Sequence, residues 1–264
     1  MSAPRRAGVL GWPVAHSRSP AIHNAAFAAL GLEDWRYQLL PVPPELFAET
    51  LRALPAAGFA GANVTIPHKE AALAASDTAT ESAREIGAAN TLTFADGRIE
   101  ADNTDAPGFL VALDMPLEGR DALVLGAGGS ARAIIWALRK AGANVRIWNR
   151  TPERGERLAE QFGVQSTREA QPAAVLVNCT PVGLRAGDDP FATLPLEAAD
   201  LGRWEVVVDL AYGTHETRFV AAARQAGTRV LDGLDVLVPH AAMSFERWTG
   251  RPAPLEAMRT AARS

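Results

Sequence analysis

The stretch Asp121-Ala122-Leu123-Val124-Leu125-Gly126-Ala127-Gly128-Gly129-Ser130-Ala131 limits what this chain can fold into more than any other. An apolar run of strand character passes into the pattern G-x-G-x-x-A, and a helical pattern follows over 130–140. In such a turn the first glycine permits the sharp reversal and the second lets the backbone approach a pyrophosphate. The small third residue lets the helix pack closely on the sheet. The positive end of that helix then attracts the anion. The candidate contacts for a dinucleotide cofactor are therefore Gly126, Ala127, Gly128, Gly129, Ser130 and Ala131.

The rest of the chain supports an α/β fold, because strand-like and helix-like segments alternate from end to end. Short apolar strands are expected at 7–11, 37–40, 61–66, 122–125, 145–148, 175–178, 206–210 and 229–231. Helices are expected between them, including 19–30, 45–54 (opened by Pro44) and 78–86. Segments 91–94 and 98–101 flank Asp96-Gly97, a hairpin turn signal. A length of 264 residues suggests two domains. The softest boundary lies at 106–118, and the final helical stretches, 238–248 and 255–263, follow the last strand of the second sheet.

The end of the strand after the glycine turn narrows the cofactor. An acidic residue there would accept from a ribose 2′-hydroxyl, whereas this chain reads Asn149-Arg150-Thr151-Pro152-Glu153-Arg154. Arginine and a hydroxyl suit a 2′-phosphate, and a guanidinium also stacks on adenine. NADP(H) is thus expected over NAD(H), with Asn149, Arg150, Thr151, Pro152, Glu153 and Arg154 around the phosphate.

The first half carries three unusually polar segments: His16-Ser17-Arg18-Ser19-Pro20, Asn63-Val64-Thr65-Ile66-Pro67-His68-Lys69, and Ala89-Asn90-Thr91 with Asp102-Asn103-Thr104-Asp105. Taken singly each is ordinary: Ser19 before Pro20 also reads as a helix cap, and a lone Lys or Asp is usually a solvated charge. Together, at strand ends facing the ligand crevice of an open sheet, their hydroxyl, amide, ammonium and carboxylate groups suit a small polyhydroxylated molecule.

Composition excludes several other classes. Apolar residues make up 48% and charged residues 21%, with net charge −4, which argues for a globular chain and against a nucleic-acid surface. Cys179 stands alone, which suits a reducing compartment, and no signal peptide or membrane span is expected. The five histidines show no metal-ligand spacing, so no metal is expected.

Read together, these motifs resemble the shikimate/quinate dehydrogenase family, over essentially the whole chain and in one order. They are Ser17-Arg18-Ser19-Pro20, Asn63 to Lys69, Gly87 to Thr91, Asn103-Thr104-Asp105, Gly126 to Ala131, Asn149-Arg150-Thr151, Asp209 to Tyr212, Asp232-Gly233-Leu234, and Ser244 to Gly250. The resemblance implies two α/β domains separated by a cleft: a substrate-binding domain with a mainly parallel sheet over 1–105, completed by 238–264, and a Rossmann-type NADP-binding domain over 106–237. It implies reversible, NADPH-dependent reduction of 3-dehydroshikimate to shikimate in a cytoplasmic monomer or homodimer. Quinate or mixed activity, or a non-catalytic sensor of the same ligands, are the alternatives.

By the same resemblance, Lys69 and Asp105 form the catalytic pair and Ser17 and Ser19 hold the substrate carboxylate. Thr65, Asn90 and Tyr212 contact the substrate, Leu210 and Gly233 lie by the nicotinamide, and Glu81 can approach the cofactor. One position departs: the family usually has Gln where this chain has His240. An imidazole offers one hydrogen bond where an amide offers a donor and an acceptor.

Overall fold

The structure is a computed structural model that describes residues 4–185, 187–213 and 215–264. The chain divides into two compact units, one comprising Met1–Gly108 with Leu237–Ser264 and the other Phe109–Val236.

The first unit opens with β1 (Arg5–Gly11), α1 (Ser19–Ala29) and β2 (Trp35–Pro41). A 3-10 turn (Pro44–Leu46) leads into α2 (Phe47–Ala53), and β3 (Phe59–Val64) and α3 (Lys69–Ala75) follow. Next come β4 (Thr78–Ala79), α4 (Glu81–Ile86), β5 (Thr91–Ala95), β6 (Arg98–Asp102) and α5 (Asp105–Leu113). Its sheet runs β2-β1-β3-β5-β6-β4. β5 is antiparallel to both neighbours, and the other pairings are parallel. The expected hairpin joins β5 to β6, with Asp96 and Gly97 both at positive φ (51° and 71°), as a type I′ turn requires. Leu10, Phe47, Leu51, Ala62, Val64 and Leu92 fill the core on the α2 side.

Two local expectations are corrected. The segment 78–86 is not one helix: Thr78–Ala79 pairs with β6, and Thr80 then caps α4. The Thr80 hydroxyl accepts from the Ala83 N–H at 3.2 Å and donates to Asp102 Oδ1 at 2.7 Å, which fixes the break. Nor is Ser19 the cap of α1. Arg18 holds that position without a side-chain bond, and the Ser17 hydroxyl accepts the Ser19 N–H at 3.3 Å.

The second unit contains β7 (Asp121–Leu125), α6 (Gly129–Lys140), β8 (Asn144–Trp148), α7 (Pro152–Phe162), β9 (Gln165–Ser166) and β10 (Val175–Asn178). After them come α8 (Pro190–Thr193), a 3-10 stretch (Ala198–Arg203), β11 (Val206–Asp209), α9 (Arg218–Gln225) and β12 (Arg229–Leu231). Every pairing in its sheet, β12-β11-β10-β7-β8-β9, is parallel. All residues of β10 and β11 are buried, as apolar strands covered on both faces must be. The strand order reverses between β7 and β10, and the crevice outside their C-terminal ends is where such sheets bind ligands.

The chain then returns to the first unit through α10 (Gly233–Thr249) and ends with α11 (Leu255–Arg263). Two glycines allow α10 to pack tightly there. A Cβ on Gly61 would fall 2.1 Å from Trp248 Nε1, and one on Gly108 would fall 2.7 Å from His240 Cβ. Arg18 ties the end of α11 to the start of α1 through the Ala262 and Ser264 carbonyls. Among the described residues, no helix is long and apolar enough to cross a membrane.

Candidate active site

In the first unit the site grows from loops at the C-terminal ends of β1, β3 and β6. Asp105 opens α5 and Lys69 opens α3; each is about nine-tenths buried. Lys69 Nζ donates to Asp105 Oδ2 at 2.6 Å, and Asn90 Nδ2 donates to Asp105 Oδ1 at 2.7 Å. Backbone bonds tie together the segments that carry them: the Ala89 N–H donates to the Lys69 carbonyl, and the Asn90 N–H to the Asp102 carbonyl. Thr65 precedes Lys69 by one turn, with its N–H on the Leu10 carbonyl and its own carbonyl accepting from His68. Gly11 leaves room for it, since a Cβ there would meet Thr65 Cγ2 at 2.5 Å and Val14 Cβ at 3.2 Å. The turn carrying Ser17, whose N–H donates to the Val14 carbonyl, therefore flanks the same end of β1. Ser17 and Ser19 stand at the entrance to α1.

Electrostatics set the charge state. Burial pushes the Asp105 carboxyl up, but the Lys69 ammonium beside it, helped by His240 and the Asn90 amide, holds it below the usual carboxylate value. Asp105 is thus an anion facing a cation. His240 belongs to the same electrostatic group. Burial lowers its pKa; Asp105 opposes that and Lys69 adds to it. His240 Nδ1 is buried without a hydrogen-bond partner.

In the second unit the glycine turn takes the expected form. Gly126 has φ +112°, its N–H donates to the Trp148 carbonyl at 2.7 Å, and α6 starts at Gly129. A Cβ on Gly128 would meet no atom within 4 Å, so the space above the turn is open. Beside it, Asn149 Nδ2 donates to the Thr151 carbonyl at 2.7 Å. Thr151 occupies the cap position of α7 without using its side chain there. Pro152 and Glu153 start that helix, and Arg150, Thr151 and Arg154 are exposed. Leu210, Tyr212 and Gly233 also come together, since a Cβ on Gly233 would meet the Leu210 carbonyl at 2.8 Å and Tyr212 Cδ1 at 2.9 Å. Glu81, exposed at the start of α4, belongs to the first unit, whereas every other cofactor candidate belongs to the second.

Comparison with known proteins agrees with both halves. Residues 9–92 match the shikimate dehydrogenase substrate binding domain, 111–178 match the shikimate / quinate 5-dehydrogenase family, and 233–263 match the shikimate 5′-dehydrogenase C-terminal domain. A shikimate dehydrogenase (NADP(+)) of Thermus thermophilus is 46% identical, covering 98% of this chain and 97% of its own. The chain belongs to the shikimate dehydrogenase family. Another shikimate dehydrogenase (NADP(+)), from Paracoccus denitrificans, is 45% identical over 93% of this chain and 90% of its own. Among solved structures, a Thermus thermophilus shikimate 5-dehydrogenase in complex with NADP(H) and shikimate is 44% identical and covers 98% of both chains with TM-score 0.86. A 5-ketofructose reductase of Gluconobacter is 31% identical, with TM-score 0.84 over 97% of both chains.

Within this shikimate dehydrogenase-family chain, several polar residues that sequence reasoning left without a role are buried around the site. Thr91 and Thr104, which belong to the polar segments but had no individual role, are both buried and hydrogen-bonded to Asn90. Ser244 gave no signal beyond its place in a family segment. Asp209 closes β11 as a hub: it accepts from Asn178 Nδ2 at 2.8 Å, from the Ala211 N–H at 3.1 Å and from the Thr217 hydroxyl at 2.6 Å. It thereby shapes the loop that carries Tyr212.

Proposed function

We propose that the protein reduces 3-dehydroshikimate to shikimate with NADPH, reversibly, in the route to chorismate and the aromatic amino acids. The buried Lys69–Asp105 pair carries this reading, because it places a cation with transferable protons against a fixed anion. When bound, NADPH supplies the hydride. The open space over Gly128, the α6 N-terminus and the unused Thr151 hydroxyl beside Arg150 and Arg154 fit its pyrophosphate and 2′-phosphate.

A ketone that gains hydride becomes an alkoxide and needs a proton as it forms. Lys69 Nζ gives that proton, and in the reverse direction neutral Lys69 takes it back as general base. Asp105 accepts from the ammonium and from Asn90, so it orients Lys69 while its remaining acceptor capacity holds a substrate hydroxyl. The Ser17 and Ser19 hydroxyls hold the carboxylate, and Thr65, Asn90, Tyr212 and His240 contact the ring hydroxyls. The first unit takes the substrate and the second the NADPH, with Leu210 and Gly233 beside the nicotinamide and Glu81 approaching it. The reaction belongs in the cytoplasm, in line with the single cysteine.

A second reading, mixed activity on quinate, is favoured by His240 standing where the family uses Gln. The test is steady-state oxidation of shikimate and quinate with NADP⁺ and with NAD⁺, by wild type and Arg150→Ala. Turnover of shikimate with NADP⁺, and selective loss of NADP⁺ affinity in the variant, are expected. Absence of shikimate turnover, or equal loss for both cofactors, contradicts the assignment.

A further inference from the structure

The hydrogen bonds behind the catalytic pair form one connected network that reaches from the sheet to α10. Asn90 sits at its exit. The Asn90 side-chain oxygen accepts from the Thr104 N–H at 2.7 Å, so its amide nitrogen must face Asp105. Thr91 Oγ1 lies behind it, with Asn90 Oδ1 at 3.1 Å, Thr104 Oγ1 at 3.0 Å, Ser244 Oγ at 2.9 Å and Asn63 Nδ2 at 3.2 Å. Ser244 Oγ donates to the His240 carbonyl one turn earlier in α10 at 3.1 Å, and accepts from Asn63 Nδ2 at 2.9 Å. The Asn63 amide is itself oriented, because its oxygen accepts a hydrogen bond from the Tyr37 hydroxyl at 2.7 Å.

Thr91 and Ser244 have no accessible surface. Neither can touch a bound molecule, so any influence on catalysis passes through neighbours. Buried polar groups of this kind stay in place only while every member is satisfied. Loss of one hydroxyl therefore changes the partners of the next group along.

We infer that Thr91 and Ser244 are positioning residues for the reaction: through Asn90 they fix the carboxylate of Asp105, and through Asp105 the ammonium of Lys69. This rests on the functional reading above. It also assigns α10 a task that its packing does not require, namely to deliver one hydroxyl from the end of the chain into a network built by β3, β5 and the β6–α5 loop.

Thr91→Val removes the hydroxyl at nearly constant shape, and Thr91→Ser keeps it. For 3-dehydroshikimate reduction, Thr91→Val should lower kcat by about tenfold to a hundredfold, with the NADPH KM unchanged, because small misplacements of reacting groups cost rate. Thr91→Ser should recover most of the loss. Ser244→Ala, which leaves β5 intact, should lower kcat in the same direction if Thr91→Val folds poorly. The second readout is NMR of the Asn90 side-chain amide, assigned with Asn90→Asp. Its protons should be protected from exchange in wild type and Thr91→Ser and exposed in Thr91→Val and Ser244→Ala. Wild-type kcat in both hydroxyl-deleted variants, or equal impairment in Thr91→Ser, overturns the inference. Should wild type not turn over the substrate, the functional reading fails and the amide protection alone decides the positioning claim.

Discussion

Buried ionisable residues give this fold opposing responses to pH. His23 has no accessible surface, and its ring stacks on Tyr37 with centroids 4.3 Å apart. Burial, with His240 nearby, pushes its pKa down to about 3, against the Asn63 amide. The unfolded chain therefore takes up a proton between pH 6.5 and about 3 that the folded chain refuses, so stability falls as pH falls through that window. Burial lowers His16 and His240 in the same direction. Asp209 acts with the opposite sign. Burial raises it to about 6, so the folded chain holds a proton that the unfolded chain has released, and stability falls as pH rises from 3.8 to about 6. The full effects are on the order of 5 kcal/mol for His23 and 3 kcal/mol for Asp209, from about 1.4 kcal/mol per pH unit. Urea midpoints between pH 4 and 7 should show the split. His23→Phe should resist acid better than wild type, and Asp209→Asn should lose the descending contribution between pH 4 and 6. Parallel curves for all three proteins would contradict these assignments.

The turn between β7 and α6 asks two different things of two glycines. Gly126 needs its positive φ, and a Cβ there would press on the Cys179 backbone at 3.2 Å. Gly128 has ordinary φ, and its Cβ would enter open space. Gly126→Ala should therefore lower both stability, by about 1–3 kcal/mol, and NADPH affinity. Gly128→Ala should keep the melting temperature and lose NADPH affinity alone. Thermal melts with and without NADPH check this, and equal destabilisation by the two substitutions would contradict it.

The central parallel strands of this unit, β7, β10 and β11, were legible because each is a nearly continuous apolar run between turn residues. The short β4 was not: Thr78–Ala79 continues the helical pattern of the residues after it, and only the Thr80 hydroxyl and the edge of β6 break it off. β9 escaped notice for a related reason, since two exposed polar residues, Gln165 and Ser166, carry no strand signal without β8 beside them. In the site, Lys69, Asp105 and Asn90 were legible as chemistry. Ser244 was not, because a serine facing inward from a helix looks like any other until the distant Asn63 and Thr91 come to meet it.

Across the whole molecule, the first unit is made from the two ends of the chain, and the second lies between them in sequence. The sheet of the first unit carries Lys69 and Asn90 at its loops, while α10 adds His240 and Ser244 from more than a hundred residues away in sequence. A net charge of −4 says little about such an assembly; what matters is one ammonium held against one carboxylate inside it. The proposed chemistry depends on that ammonium. The deciding measurement is the steady-state reduction of 3-dehydroshikimate by NADPH in wild type and Lys69→Ala, with far-ultraviolet circular dichroism confirming that the variant is folded. A proton-donating Lys69 predicts a kcat lower by about a hundredfold to ten-thousandfold, the range of general acid catalysis, with little change in KM. A wild-type kcat with only KM raised would contradict that role.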